Sequence, residues 1–197
     1  MFDEIELGRE FFAMLWAIDV AIVERAAMER CRLCAGPLHR GDYARKPRGG
    51  LPSAGGEEFV MRFSLCCGRE GCRKRATPPS VRFLGRRVYL GATVIVASAI
   101  ALVISTASAI RRATGIPART TRRWLGWWHG AFTTTSVFAD LSARLVPAVS
   151  RSTLPTSLLE RLSGDEPARR VQKLLGWLAP ITTASTPHGA RFLRGFV

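Results

Sequence analysis

Between Gly71 and Ala139 the chain has no acidic residue. Only Asp140, Glu160, Asp165 and Glu166 follow, and the last two are adjacent. Metal-dependent phosphoryl transfer needs carboxylates spread so that they hold two ions, and no such triad remains. Histidine is also scarce: His39, His129 and His188 stand isolated, with no Ser/His/Asp or phosphate-loop arrangement around them. No catalytic role is expected. Charge of either sign is missing from Val88 to Ile110, a run of 23 positions. By length it is a transmembrane candidate. Its Ala, Ser, Thr and Gly content and its arginine-rich flanks on both sides favour a buried helix instead, or two helices broken near Ser105-Thr106. The first residues carry Asp3, Glu4 and Glu6 in place of the basic segment of a cleavable signal. Five cysteines cannot close into pairs. These features predict a reducing cytoplasm, where clustered cysteines more often hold metal than form disulfides.

What is present is positive charge. The net charge is +14 over 197 residues, and 47% of the residues are hydrophobic, enough for a real core. The acid-free stretch carries Arg73, Lys74, Arg75, Arg82, Arg86, Arg87, Arg111, Arg112, Arg119, Arg122 and Arg123. Such a field favours a polyanion, either nucleic acid or an anionic membrane surface. Arginine over lysine suits phosphate forks and base edges. The competing reading is charge that only keeps a soluble protein dispersed.

Four segments follow from the pattern. Residues 1–30 predict an amphipathic helix over 2–30, with Phe11, Leu15, Ile18, Ile22 and Ala26 on one face and Glu10, Asp19 and Glu24 between them. It would pack on the following segment or on a partner chain. Residues 31–87 are rich in Gly and Pro, with short strands expected at Leu38–Arg45 and Phe59–Cys66 around a flexible loop, 46–56. Residues 88–132 predict buried helix, then helix, turn and helix. Residues 133–197 predict short helices, two of them in 155–179 with Ser163 or Asp165 capping the second, and a loose basic tail from Pro180 bearing Arg191, Arg194 and Phe196.

The cysteines carry the sharpest signal. Cys31-Arg-Leu-Cys34 is a C-x2-C pair, whose spacing brings two thiolates onto one metal. The second cluster offers Cys67-x4-Cys72 or Cys66-x5-Cys72. Strand alternation places Phe63, Leu65 and Cys67 on one face, so Cys67 is preferred and Cys66 is its rival. His39 is an alternative donor, and a set of buried free thiols is the plain alternative. Four cysteines would close the shell around a structural Zn2+ and leave no place for substrate.

Downstream, Gly115 can take the left-handed turn that ends one helix, Ile116 can plug it, and Pro117 can open the next helix. Trp124 and Trp128 then share one face as core anchors, while Arg119, Thr120, Arg122 and Arg123 lie on the early exposed part. This resembles helix-turn-helix DNA-binding domains, in which those positions reach the major groove. It departs from their pattern at Arg111, four before the glycine, and at Thr121, where an aliphatic is usual. An ordinary helical hairpin with a solvated basic face is the competing reading.

The segment from Cys66 through Thr77-Pro78-Pro79 to Phe83, taken with the helix-turn-helix pattern, resembles the DNA-binding part of bacterial insertion-sequence transposases and their small regulators. The resemblance covers about half the chain, residues 31–128. It implies a mainly α protein with a small β zinc ribbon: N-terminal helix, β-hairpin zinc knuckle, helical helix-turn-helix domain and C-terminal short helices. It further implies a nucleoid-associated protein that binds double-stranded DNA, with Arg73, Lys74, Arg75, Arg82, Arg86 and Arg87 on phosphate. The chain would work with a transposase or a homodimer mate bound by residues 2–30 or 155–179. A membrane-associated basic protein with a span near 90–110 and a non-catalytic interaction subunit holding RNA are the alternatives.

Overall fold

The structure, a computed structural model, describes residues 7–47, 56–84 and 89–183. Helix α1 (Arg9–Met28) buries a stripe of Phe12, Leu15, Asp19, Ile22, Val23 and Ala26, the three- and four-residue spacing of one helix face. Its two ends serve different cores. Phe11, Phe12, Leu15 and Ile22 enter the large helical core, whereas Val23 and Ala26 pack on Phe63 and Leu65. Each fully buried Phe or Leu contributes about 1.5–3 kcal/mol. The stripe is therefore occupied within the chain, and its C-terminal end packs on the following segment as expected.

The two strands expected next form as a bent hairpin. Strands β1 (Leu38–Arg40) and β2 (Tyr43–Ala44) take the first, and a helical turn α2 (Glu57–Val60) precedes β3 (Met61–Arg62) and β4 (Leu65–Cys67). Tyr43 faces Arg62 and Ala44 faces Met61, while Leu38, His39 and Arg40 face Cys67, Cys66 and Leu65. The bend falls at Gly41-Asp42. There the Ser64 backbone N–H donates to Asp42 Oδ1 at 2.9 Å and the Gly41 N–H to the Ser64 carbonyl at 2.9 Å. A third strand, β5 (Arg75–Ala76), joins β4 and gives the antiparallel order β1-β4-β5. Most of the glycine-rich loop between the two halves lies outside the described residues.

The uncharged run is two helices. Helix α3 (Gly91–Val103) is buried from Gly91 to Ile100 except at half-buried Val96, and emerges at Val103, with the Ser98 hydroxyl donating to the Val94 carbonyl at 2.6 Å. At 1.5 Å per residue it reaches about 20 Å, short of a bilayer core. Among the described residues no helix is long and apolar enough to cross a membrane. An extended residue, Ile104, ends α3, and Thr106 caps α4 (Ala107–Thr114) by accepting the Ala109 N–H at 3.3 Å. Gly115 follows at φ 67°, Ile116 is fully buried, and Pro117 takes the N-cap position of α5 (Ala118–His129), one place ahead of its expected position in the helix. Trp124 and Trp128 anchor α5 in the core, with Trp124 edge-on to Tyr89 at 4.8 Å and Trp128 edge-on to Phe132 at 4.9 Å.

The remaining chain closes around this pair. Helix α6 (Ser136–Arg144) is capped by Thr135, and α7 (Thr156–Arg161) precedes α8 (Pro167–Leu178). Neither Ser163 nor Asp165 caps α8: Glu166 holds that position, and Ser163 instead accepts Lys173 Nζ at 2.6 Å. Val171, Leu174, Leu175 and Leu178 are buried in the common core, so the inner face of α8 is occupied as well. The 3-10 turn Ala179–Thr182 is no loose tail. The Thr182 hydroxyl accepts the Ser80 N–H at 3.0 Å, and Thr183 donates to the Thr77 carbonyl at 2.6 Å. Arg191, Arg194 and Phe196 lie outside the described residues.

Candidate metal centre and basic surface

The two knuckles are built alike. After Cys34, Ala35 adopts φ 55°, and after Cys72, Arg73 adopts φ 45°. Left-handed backbone at a non-glycine residue costs about 1–3 kcal/mol, so other contacts must hold each turn. In the first, the Ala35 N–H donates to the Cys31 carbonyl at 2.7 Å and the Cys31 N–H to the Gly36 carbonyl at 2.9 Å. In the second, the Cys67 N–H donates to the Lys74 carbonyl at 3.0 Å, which extends the β4–β5 ladder to the cysteine turn.

These turns bring Cys31, Cys34, Cys67 and Cys72 together, with all four Sγ atoms within 4.8 Å of one another. Cys34 and Cys67 stand 3.4 Å apart, and Cys31 and Cys72 3.7 Å. Four sulfurs at the usual zinc–thiolate length of about 2.3 Å would stand about 3.8 Å apart, so the donors fit a tetrahedral ion with little adjustment. The set can hold a metal ion. Gly36 makes room for it: a Cβ there would meet Cys67 Sγ at 3.0 Å and Arg69 Cβ at 2.9 Å. The Arg69 N–H points at Cys67 Sγ at 3.4 Å, and its guanidinium donates to the Cys34 carbonyl at 2.8 Å. The backbone N–H of Leu33 leads in drawing the Cys31 thiol down to about 7. Burial pushes Cys67 up to about 12, which favours its neutral thiol until a cation arrives.

Strand alternation decides between the neighbouring cysteines. Cys66 faces His39 across the ladder and turns its sulfur to the Arg73 carbonyl at 3.4 Å, away from the cluster. His39 is likewise no donor. Its ring lies so close over Gly68 that a Cβ there would meet Nε2.

The expected phosphate contacts divide. Arg73, Lys74 and Arg75 are exposed, as are Arg119, Arg122 and Arg123 on α5, while Thr120 is half-buried. Arg86 and Arg87 lie outside the described residues. Arg82 is corrected outright: its side chain is 0% exposed and pairs with Asp19 at 2.8 Å, so no phosphate can reach it. The same carboxylate accepts the Ser80 hydroxyl at 2.5 Å and the Val81 N–H at 2.7 Å, and Arg82 also donates to the Glu58 carbonyl at 2.7 Å. The guanidinium sits against Trp16, Phe63 and Phe83. Nearby, Arg62 is buried and donates to the carbonyls of Phe63 and Pro78. Burial lowers the pKa of both arginines, and Asp19 opposes it.

This clasp was missed from sequence, although Asp19 lies in register with Leu15 and Ile22 on the apolar stripe. Residues on both sides of the clasp lie inside the fold. Residues 78–84 are buried, and Phe83 bridges to Leu90. Thr121, the other departure from pattern, is buried with its hydroxyl donating to the Pro117 carbonyl at 3.3 Å. Comparison with protein-family models, with curated proteins and with solved structures finds no match.

Proposed function

We propose that this chain is a zinc-stabilised, non-catalytic protein that binds double-stranded DNA, acting as a regulatory or accessory factor of a bacterial mobile element. The observation that carries the reading is helix α5. Its tryptophan face is rooted in the core, and its first two turns present Arg119, Arg122 and Arg123 to solvent directly after the left-handed turn at Gly115. A helix so fixed, with cations on its N-terminal half, suits the major groove. Arg73, Lys74 and Arg75 add charge at the second cysteine knuckle. Zinc suits four thiolates at near-tetrahedral spacing, and a closed shell assigns the ion a structural role. The link to mobile elements rests on sequence resemblance alone.

Binding of a labelled duplex, followed by anisotropy against salt, tests the reading. Log K should fall steeply with log salt, and R122A with R123A should reduce the slope by about 1.8, at about 0.9 for each phosphate no longer neutralised. A flat slope overturns it. Equal affinity for duplex DNA and RNA would shift the assignment to an RNA-holding subunit. Protein purified without added metal should contain one zinc and one reactive thiol, that of Cys66.

A further inference from the structure

A cleft of about 240 Å³ opens between the C-terminal end of α1, the first cysteine knuckle and β5. Its floor is aliphatic, formed by Ala26, Leu38, Leu65, Ala76 and Pro78. Leu33 stands at the rim, 71% exposed between two cysteines of the cluster, where nothing in the fold requires a large apolar side chain. Three cations border the cleft: Arg30, Arg32 and Lys74, against one acid, Glu29. Arg75 also lines the cleft, but its guanidinium is engaged elsewhere, donating to the Gly41 carbonyl at 2.9 Å. Lys74 stands opposite Cys67 on the ladder, which places it on the same face as Leu65. Among the described residues neither Arg32 nor Lys74 forms an ion pair.

From this pairing of apolar floor and unpaired cations we infer that the cleft takes one unpaired nucleotide, its base against the aliphatic floor and its phosphate between Arg32 and Lys74. The volume suits a single ring system and falls below the roughly 300–1,000 Å³ of pockets for drug-sized ligands. The floor side chains carry no polar atom, so they hold the base by contact and not by hydrogen-bond readout. The inference extends the DNA reading: α5 holds duplex, and the cleft holds the unpaired base at an end or junction of the same molecule. A nucleotide is favoured over an acidic peptide because it joins one doubly charged phosphate to one flat ring, matching two unpaired cations beside a floor too small for more than one side chain.

The test uses the full chain as purified. Deoxyadenosine monophosphate is titrated in while backbone amide shifts are recorded, with inorganic phosphate and deoxyadenosine as parallel probes. The monophosphate should shift Ala26, Leu33 and Ala76 together, at concentrations at least tenfold below those at which either parallel probe does. R32E with K74E should weaken it at least tenfold with the remaining spectrum unchanged. A duplex with a one-nucleotide overhang should then bind tighter than the blunt duplex, and that preference should vanish in the double variant. Inorganic phosphate matching the monophosphate overturns the proposal, as does a shift pattern away from the cleft or tighter binding of an acidic peptide such as Glu-Phe-Glu. If blunt duplex fails to bind while the monophosphate does, the cleft stands and the α5 reading falls. If duplex binds with no overhang preference and no monophosphate shift, the reverse holds.

Discussion

From Cys31 to Ala76 the strands are two or three residues long, and Phe63 and Leu65 there form a small buried cluster with Val23 and Ala26 of α1. From Tyr89 to Thr183 five of the six α-helices, all but α4, share one core in which Trp124, Trp128 and Phe132 are fully buried. So little apolar area in the first region cannot offset the cost of ordering its backbone, about 1–2 kcal/mol per residue. The second region has area enough. The difference teaches that one end of the chain gathers four cysteines that could hold a metal ion where packing is thin, while the other is held by hydrophobic packing. Helix α1 and the Asp19–Arg82 clasp join the two.

Removing the metal should show the contrast most sharply. Structural zinc contributes about 10–16 kcal/mol in small metal-held modules. C67S, or chelation of the parent protein, should therefore collapse amide dispersion from Cys31 to Ala76 while far-UV circular dichroism keeps most of its helical signal. Helices that melt at the same midpoint as the ribbon would break the distinction and make the chain one cooperative unit. Next in size is D19N, which leaves Arg82 buried without its counter-charge and should cost about 3–5 kcal/mol in urea unfolding. D19L with R82M should recover most of that stability. If it recovers none, the clasp's hydrogen bonds to Ser80 and Val81 hold the regions together more than its charges do. Smaller again is G115A, where φ 67° would strain alanine by about 1–2 kcal/mol and should lower helical-body stability without altering metal content. The smallest effect belongs to C66S: metal stoichiometry unchanged and stability within about 0.5 kcal/mol. A loss of metal in C66S would mean that the sulfur beside the cluster can replace Cys67.

The cysteine set was legible because two rules act at short range. A C-x2-C turn converges its thiols, and strand period two separates Cys67 from Cys66. The break between α3 and α4 was legible from Ser105-Thr106, since Thr106 caps as such residues do. The turn at Gly115 was legible from glycine and a following apolar residue. Long-range pairing was not. Asp19 read as polar surface and Arg82 as a phosphate contact, because each is charged. Their burial depends on elements 63 positions apart meeting face to face. Position 19 did carry a signal, an acid inside an apolar stripe, and Arg82 stands between Val81 and Phe83. The bend at Asp42 was hidden for a different reason: a side-chain carboxylate takes the place of a ladder carbonyl, which strand periodicity does not register.

The contact between Ser80 and Thr182 has a consequence for the chain's birth. Thr182 leaves the ribosome 163 residues after Asp19, which at roughly 5–20 residues per second is a wait of about 8–33 seconds. Throughout that interval the loop that covers Asp19 and Arg82 lacks the threonine that receives the Ser80 N–H. The four cysteines that could hold a metal ion all emerge within the same interval. A chain cut short before Thr182 would keep the Asp19–Arg82 pair but leave the buried Ser80 N–H without its acceptor.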